Sequence, residues 1–283
     1  MNSNIKDYVV EVSQKVKNAS YSLKSSNTKI KNHALSTLAK LIKLDSGAII
    51  FENNKDVENA KKSGLSEALI DRLILNEKRI KSMIEGVESI ISLKDPVGSV
   101  IEQYTLPNGL DIGKIRVPIG TIGIIYESRP NVTIDASALC IKSGNATILR
   151  GGSEAFNSNL FLVSLVKRAL KESSLDENSV SYFDRTDREC IYEMLKLNQY
   201  IDLIIPRGGE GLIKTVVENS RIPVIKHDKG VCTLYICDDA DKDTAIKIAI
   251  NAKTQRPGVC NAIENIIFDR TCPFIKDVLE ALF

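Results

Sequence analysis

Residues 120–153 read GTIGIIYESRPNVTIDASALCIKSGNATILRGGS, and this stretch decides the fold. Gly120 to Tyr126 is an apolar run of strand length, Asn131 to Lys142 has the length of a helix, and Ala146 to Arg150 is a second short apolar run. The alternation continues outward, with a helix from about Asn157 to Lys171 and a strand over Ser179 to Phe183. A short helix near Arg188 to Leu197, a strand over Asp202 to Ile205 and a helix from about Gly211 to Asn219 complete it. Short apolar strands separated by helices imply right-handed βαβ units around a parallel sheet, an α/β fold with a Rossmann-like layout. Ligands in such sheets bind beyond the carboxyl ends of the strands, which directs attention to the residues after Tyr126, Leu149 and Ile205.

Upstream, residues 1–95 read as helices: Ile5, Tyr8, Val9, Val12, Val16 and Ala19 recur at helical spacing, as do Leu35, Leu38, Ala39, Leu41 and Ile42. Residues 96–117 carry Pro96, Gly98, Pro107, Asn108 and Gly109 between two extended arms, Ser99 to Leu106 and Leu110 to Val117. That is a hairpin, which serves as an oligomer arm or as a plain surface ribbon. Residues 118–227 hold the Rossmann-like core. Residues 228–283 start a second α/β unit with strand Val231 to Ile236, helix Asp241 to Ala252, strand Ile263 to Phe268 and a helix at about Pro273 to Phe283. The last helix ends on an apolar residue with no Gly or Asn cap, so the chain is expected to stop inside an incomplete βαβ unit.

Composition excludes several classes. The 283 residues are 43% apolar and 26% charged, an ordinary globular balance far from disorder or a disulfide-stapled miniprotein. With 38 Lys and Arg against 36 Asp and Glu, no dedicated nucleic-acid binder is expected. No apolar run approaches the ~18 residues of a membrane span, and Met1 to Asn18 mixes charged and apolar residues where a signal peptide is continuously apolar, so a cytoplasmic protein is expected. Cys140, Cys190, Cys232, Cys237, Cys260 and Cys272 form no CxxC pair and sit mostly in apolar segments, as reduced core cysteines do. With only His33 and His227, no metal site is expected and a serine triad has few candidates for its central residue.

Three strand ends run into clusters of Arg, Gly and Ser: Tyr126-Glu127-Ser128-Arg129-Pro130-Asn131, Arg150-Gly151-Gly152-Ser153 and Pro206-Arg207-Gly208-Gly209-Glu210-Gly211. Each offers backbone N–H groups and a guanidinium to an anion, and three together favour a nucleotide or another multi-anion ligand. Neither GxGxxG nor GxxxxGK[ST] occurs. The segment 251–261 places Cys260 after the Pro257-Gly258 turn, with Lys253 and Arg256 close enough in sequence to stabilise a thiolate. A buried, inert cysteine is the plainer reading of such a position, but the polar, turn-rich surroundings favour a reactive one.

YESRPNVT (126–133), ILRGGSEA (148–155), DLIIPRGGEGLI (202–213) and above all NAKTQRPGVCNAIE (251–264) resemble the gamma-glutamyl phosphate reductase family, within the aldehyde dehydrogenase superfamily. The resemblance extends to GLSEALIDRLILNEKRI (64–80) and to the end of the chain. It implies an aldehyde dehydrogenase-like fold and an NADPH-dependent reduction of L-glutamyl 5-phosphate to glutamate 5-semialdehyde in proline synthesis. Cys260 then matches the nucleophile and Asn131 the oxyanion-stabilising amide. Arg150, Gly151 and Ser153 match the segment holding the adenosine ribose and its 2'-phosphate, Gly208 and Gly209 the loop facing the pyrophosphate and nicotinamide, and Arg129 and Arg256 the substrate contacts. Residues 1–95 become helices of the cofactor domain, 96–117 an oligomerisation arm and 228–283 the start of a catalytic domain. A homo-oligomer when full length and a functional link to glutamate 5-kinase are implied as well.

The resemblance departs at Lys226-His227-Asp228, where many relatives read Glu-Thr-Gly, and at Thr233, where many carry His, so no catalytic duty is placed there. Family members also continue past Phe283, and a chain of 283 residues is expected not to turn over alone. A related acylating aldehyde dehydrogenase acting on a thioester, or a non-catalytic nucleotide-binding fragment, are the competing readings.

Overall fold

The computed structural model describes residues 4–227, 230–257 and 259–282. The chain divides into two compact units, Met1–Lys226 and His227–Phe283. Five helices open the first unit: α1 (Ile5–Lys24), α2 (Thr28–Leu44), α3 (Ser46–Lys62), α4 (Glu67–Leu73) and α5 (Glu77–Ser92). Asn27 and Asn76 start α2 and α5 by accepting the amides of Ile30 and Arg79, each three residues on. The strands β1 (Val100–Thr105) and β2 (Asp111–Ile115) pair antiparallel as the hairpin, two and three residues shorter than the arms the sequence suggests. Val100, Ile101, Tyr104 and Ile115 are exposed on it.

The centre of the unit is a four-stranded sheet built from β3 (Thr121–Tyr126), α6 (Asn131–Lys142), β4 (Ala146–Arg150), α7 (Phe156–Glu172), β5 (Val180–Tyr182), α8 (Glu189–Met194), β6 (Leu203–Arg207) and α9 (Glu210–Asn219). Its strands are parallel in the order β5-β4-β3-β6. After β3 the chain builds outward through β4 and β5, then returns to add β6 on the other side of β3. The carboxyl ends of β3 and β6 therefore frame the topological switch point, where a crevice opens.

The two-residue period of the strands sorts their side chains between two cores. Ile122, Ile124, Tyr126, Leu149 and Leu203 face α6 and α7, with α2 and α5 packed behind. Ile125, Ile148 and Ile204 face the opposite layer and meet Val9 and Val16 of α1, Met194 of α8 and Val216 of α9. Every residue of β3 and β4 is buried, as expected of a parallel sheet covered on both faces. Helix α8 is shorter than its sequence pattern, because the chain after Met194 tightens into turns in which Leu197 donates to Met194 and Ile201 to Leu197.

The second unit pairs β7 (Thr233–Ile236) in parallel with β8 (Asn265–Phe268), joined through α10 (Lys242–Thr254) and followed by α11 (Ile275–Leu282). Ile236, Ala249, Cys272, Phe274 and Val278 form its core. All six cysteines are free thiols, but only Cys140, Cys190 and Cys272 are buried. This corrects the reading of the others, Cys260 apart, as core residues: Cys237 is exposed and Cys232 half-buried, because β7 leaves one face uncovered, with Tyr235 exposed beside them. No helix among the described residues is long and apolar enough to cross a membrane.

Candidate active site

At the carboxyl ends of the first unit's strands lies a cleft of about 610 Å³, lined among others by Tyr126, Glu127, Arg150, Gly151, Ser153 and Arg188. Its volume is in the range of a cofactor pocket. Arg150 ends β4 and is 6% exposed. Its Nη1 donates to the Gly151 carbonyl and its Nη2 to the Thr186 carbonyl at 2.9 Å, while Nε has no partner among the described residues. A buried guanidinium with one unanswered donor places positive charge in the cleft wall.

The glycines here are set by close approach. A Cβ on Gly151 would stand 2.3 Å from the Asn159 amide nitrogen and 3.1 Å from the Tyr126 ring. Those two belong to a buried relay: Tyr126 hydroxyl to Thr133 Oγ1 at 2.6 Å, and Thr133 Oγ1 donating to Asn159 Oδ1 at 2.8 Å. Burial pushes the Tyr126 phenol far above its ordinary range, so it stays protonated and donates. A Cβ on Gly208 would meet the Glu127 carboxylate at 2.5 Å. Gly208 and Gly209 do not line the cleft themselves; the Gly209 amide donates to Glu127 Oε2 at 2.8 Å, and Glu127 lines it. That carboxylate sits beside the first turn of α9, where a negative charge is favoured.

Ser128 has φ of +38°, an uncommon conformation for a residue with a side chain. Glu154 holds it there, accepting from both the Ser128 amide and its hydroxyl at 2.6 Å and so joining the loop after β3 to the loop after β4. Asn131 opens α6 outside the cleft lining. Its Nδ2 donates to Asp135 Oδ2 at 3.0 Å, one helical turn on, which fixes the amide plane. Burial raises the Asp135 carboxyl above its ordinary value, against the pull of that hydrogen bond. Arg129 is exposed in the loop before α6.

In the second unit Cys260 is exposed, in the stretch between α10 and β8. Its carbonyl accepts from the Cys232 thiol at 3.4 Å, and a Cβ on Gly230 would come within 2.7 Å of the same oxygen. The Ile263 amide donates to Ala252, and Lys253 Nζ donates to the Ile263 carbonyl at 2.9 Å. These contacts brace both sides of the turn and leave Cys260 exposed rather than in the core. The hydrogen bond of Lys253 thus goes to the backbone, and Arg256 is exposed. Lys226, His227 and Thr233 are exposed, whereas Asp228, Gly258 and Phe283 lie outside the described residues.

Glu127, Glu154 and Arg188 carry no role in the sequence reading, yet all three line the cleft. The signal for Arg188 is present in the sequence: it lies in the loop after the strand ending near Phe183, a fourth strand end of the kind that singled out the other three.

No family model matches the chain. It is similar to a gamma-glutamyl phosphate reductase of Carboxydothermus hydrogenoformans, 51% identical over 98% of this chain and 67% of that protein. Among solved structures, the gamma-glutamyl phosphate reductase of Thermotoga maritima is 45% identical with a TM-score of 0.91, covering 96% of this chain and 66% of that one. An acetylating aldehyde dehydrogenase of Geobacillus thermoglucosidasius, 16% identical over 98% of this chain and 58% of its own, shares the fold with a TM-score of 0.69. The chain spans 59–68% of the length of eight curated gamma-glutamyl phosphate reductases it matches.

Proposed function

Because the chain belongs to the gamma-glutamyl phosphate reductase family, we propose that it serves the NADPH-dependent reduction of L-glutamyl 5-phosphate to L-glutamate 5-semialdehyde, with release of phosphate, in proline synthesis. The observation that carries this reading is the exposed Cys260 thiol on a turn braced from both sides.

In this mechanism the Cys260 sulfur attacks the acyl carbon, the C–O bond to phosphate breaks, and a thioester forms. The Asn131 amide, its plane fixed by Asp135, and the Cys260 backbone N–H donate to the oxygen on which negative charge develops. Arg129 and Arg256 bind the anionic groups of the substrate. Once the acyl carbon is reduced, the C–S bond breaks and the thiol is restored as the aldehyde leaves. The bound dinucleotide supplies the two electrons as hydride. Arg150, Gly151 and Ser153 hold its adenosine ribose side, and Gly208 and Gly209 the pyrophosphate side. The unanswered Arg150 Nε and the two crowded glycines fit a ligand that needs charge and close backbone approach.

Residues 1–95 and 118–227 make up the cofactor domain in this reading, 96–117 an oligomerisation arm and 228–283 part of the catalytic domain. The enzyme works in the cytoplasm as a homo-oligomer on substrate made by glutamate 5-kinase. The test is NADP⁺ reduction with glutamate semialdehyde by the protein carried to the length of its curated relatives, followed by absorbance. The expected rate depends on inorganic phosphate. A rate that needs coenzyme A instead would assign a thioester substrate, and tight NADPH binding without turnover would assign a binding fragment.

A further inference from the structure

We propose that Arg188 reads the 2'-phosphate of the dinucleotide and sets the preference for NADPH over NADH, while Arg150 acts beneath it by holding the loop that presents Arg188. The proposal rests on the reading above that this cleft binds a dinucleotide.

The two guanidiniums of the cleft differ in what they have left to give. Arg150 is buried, and both its terminal nitrogens already donate to backbone carbonyls, of Gly151 and Thr186. Two of its five N–H groups are thereby taken, one on each terminal nitrogen, and these bonds fix its plane to the backbone beneath the loop. Arg188 lines the same cleft and is exposed, and its side chain has no ion pair or hydrogen bond among the described residues. Its five donors are available, and a planar fork of this kind matches two phosphate oxygens at once.

The loop that carries Arg188 is fixed at two points. The Asp184 carboxylate accepts from the Tyr8 hydroxyl at 2.5 Å, the Asp184 amide donates back to the same oxygen at 2.9 Å, and the Arg185 guanidinium lies over the Tyr8 ring at 4.5 Å. Two residues on, the Thr186 carbonyl is held by Arg150. The charged groups of the loop before Arg188 are thereby committed, except for Asp187. The cleft's carboxylates are committed too, Glu127 to the Gly209 amide and Glu154 to Ser128. What remains for an added phosphate is Arg188, with the Arg150 charge behind it.

A ribose 2'-hydroxyl offers this guanidinium one weak acceptor, whereas a 2'-phosphate offers a dianionic pair of oxygens. The difference should therefore appear between the two cofactors and not in cofactor binding as a whole. The experiment titrates NADPH and NADH, and 2',5'-ADP against 5'-AMP as fragment probes, into the 283-residue protein and its Arg188→Ala and Arg188→Lys variants. Arg188→Ala is expected to weaken NADPH and 2',5'-ADP at least ~10-fold while NADH and 5'-AMP change by less than about twofold. Arg188→Lys should fall between, since it keeps the charge and loses the fork. A wild type that prefers NADPH, with the preference intact in Arg188→Ala, overturns the assignment and leaves the cofactor reading standing. Equal losses for both cofactors also overturn it. A wild type that binds neither cofactor, or binds both alike, rejects the NADPH reading itself and this assignment with it.

Discussion

The two units use the same strand–helix–strand piece but cover it differently. In the first, β3 and β4 are buried along their whole length between two helical layers. In the second, β7 has one buried residue, Ile236, and β8 none; Tyr235 and Ile267 stand in the open at 54% and 52% exposure. The enclosed sheet yields strand ends fixed well enough to hold a cleft with a buried guanidinium and strained Ser128. The open sheet yields a braced turn with an accessible thiol. Positional accuracy and chemical access are supplied by different parts of the chain.

The sharpest way to separate them is Cys260→Ala. In a version carried to the length of its curated relatives, loss of the proposed nucleophile should lower phosphate-dependent turnover at least ~10³-fold, while NADPH affinity, assigned above to the first unit's cleft, stays within about twofold. If the variant keeps a comparable rate, the thioester route is wrong. If it loses the cofactor as well, the two functions are not divided as the two cores suggest.

A smaller effect is expected from paired core substitutions. Leu149, on β4, is fully buried in the core that faces α6 and α7, and Leu149→Ala should cost about 2–5 kcal/mol by lost burial plus the cavity left behind. Ile267→Ala removes a half-exposed side chain and should cost no more than about 1 kcal/mol. Urea unfolding followed by circular dichroism measures both. Equal losses would mean that the open face of β8 is as tightly packed as the covered sheet, and the contrast between the units would collapse.

What the sequence made legible follows the same division. The bounds of α6 agree with the sequence reading, because Pro130 precedes it and Gly144 follows it at φ of +73°, so local chemistry sets both ends. The strands around it are legible because burial on both faces requires unbroken apolar runs, as in Thr121 to Tyr126. In the second unit the apolar run through Tyr235, Ile236 and Cys237 looks the same on paper, yet only Ile236 is buried. A run of residues does not say how many faces are covered. The cleft was half legible. Its glycines and Arg150 follow strands by a general rule, but the commitment of Arg150 to Thr186 joins residues 36 apart and belongs to the folded chain alone. Glu154 is similar: nothing local foretells that it will hold Ser128, 26 residues earlier in the chain.

The smallest predicted effect contrasts one carboxyl from each unit. Asp135 is half-buried on α6, and desolvation raises its folded-state pKa above the unfolded value, opposed in part by the Asn131 amide. Between those two values the folded protein keeps a proton that the unfolded chain releases, so stability falls as pH rises through the window and stays lower above it. Asp269 lies half-buried just after β8 and is displaced the other way, by hydrogen bonds from the Thr271 amide and hydroxyl and from the Tyr235 hydroxyl. Its contribution is present above the unfolded pKa and disappears as pH falls through the folded one. Melting temperatures across the acid range should therefore diverge from wild type in opposite directions. Asp135→Asn should gain on wild type as pH rises, by about 1–3 °C in this size range, and Asp269→Asn should lose ground over the same rise. Parallel curves for Asp135→Asn would show that its carboxyl is hydrated in the folded state, and that even the enclosed sheet admits water at the foot of α6.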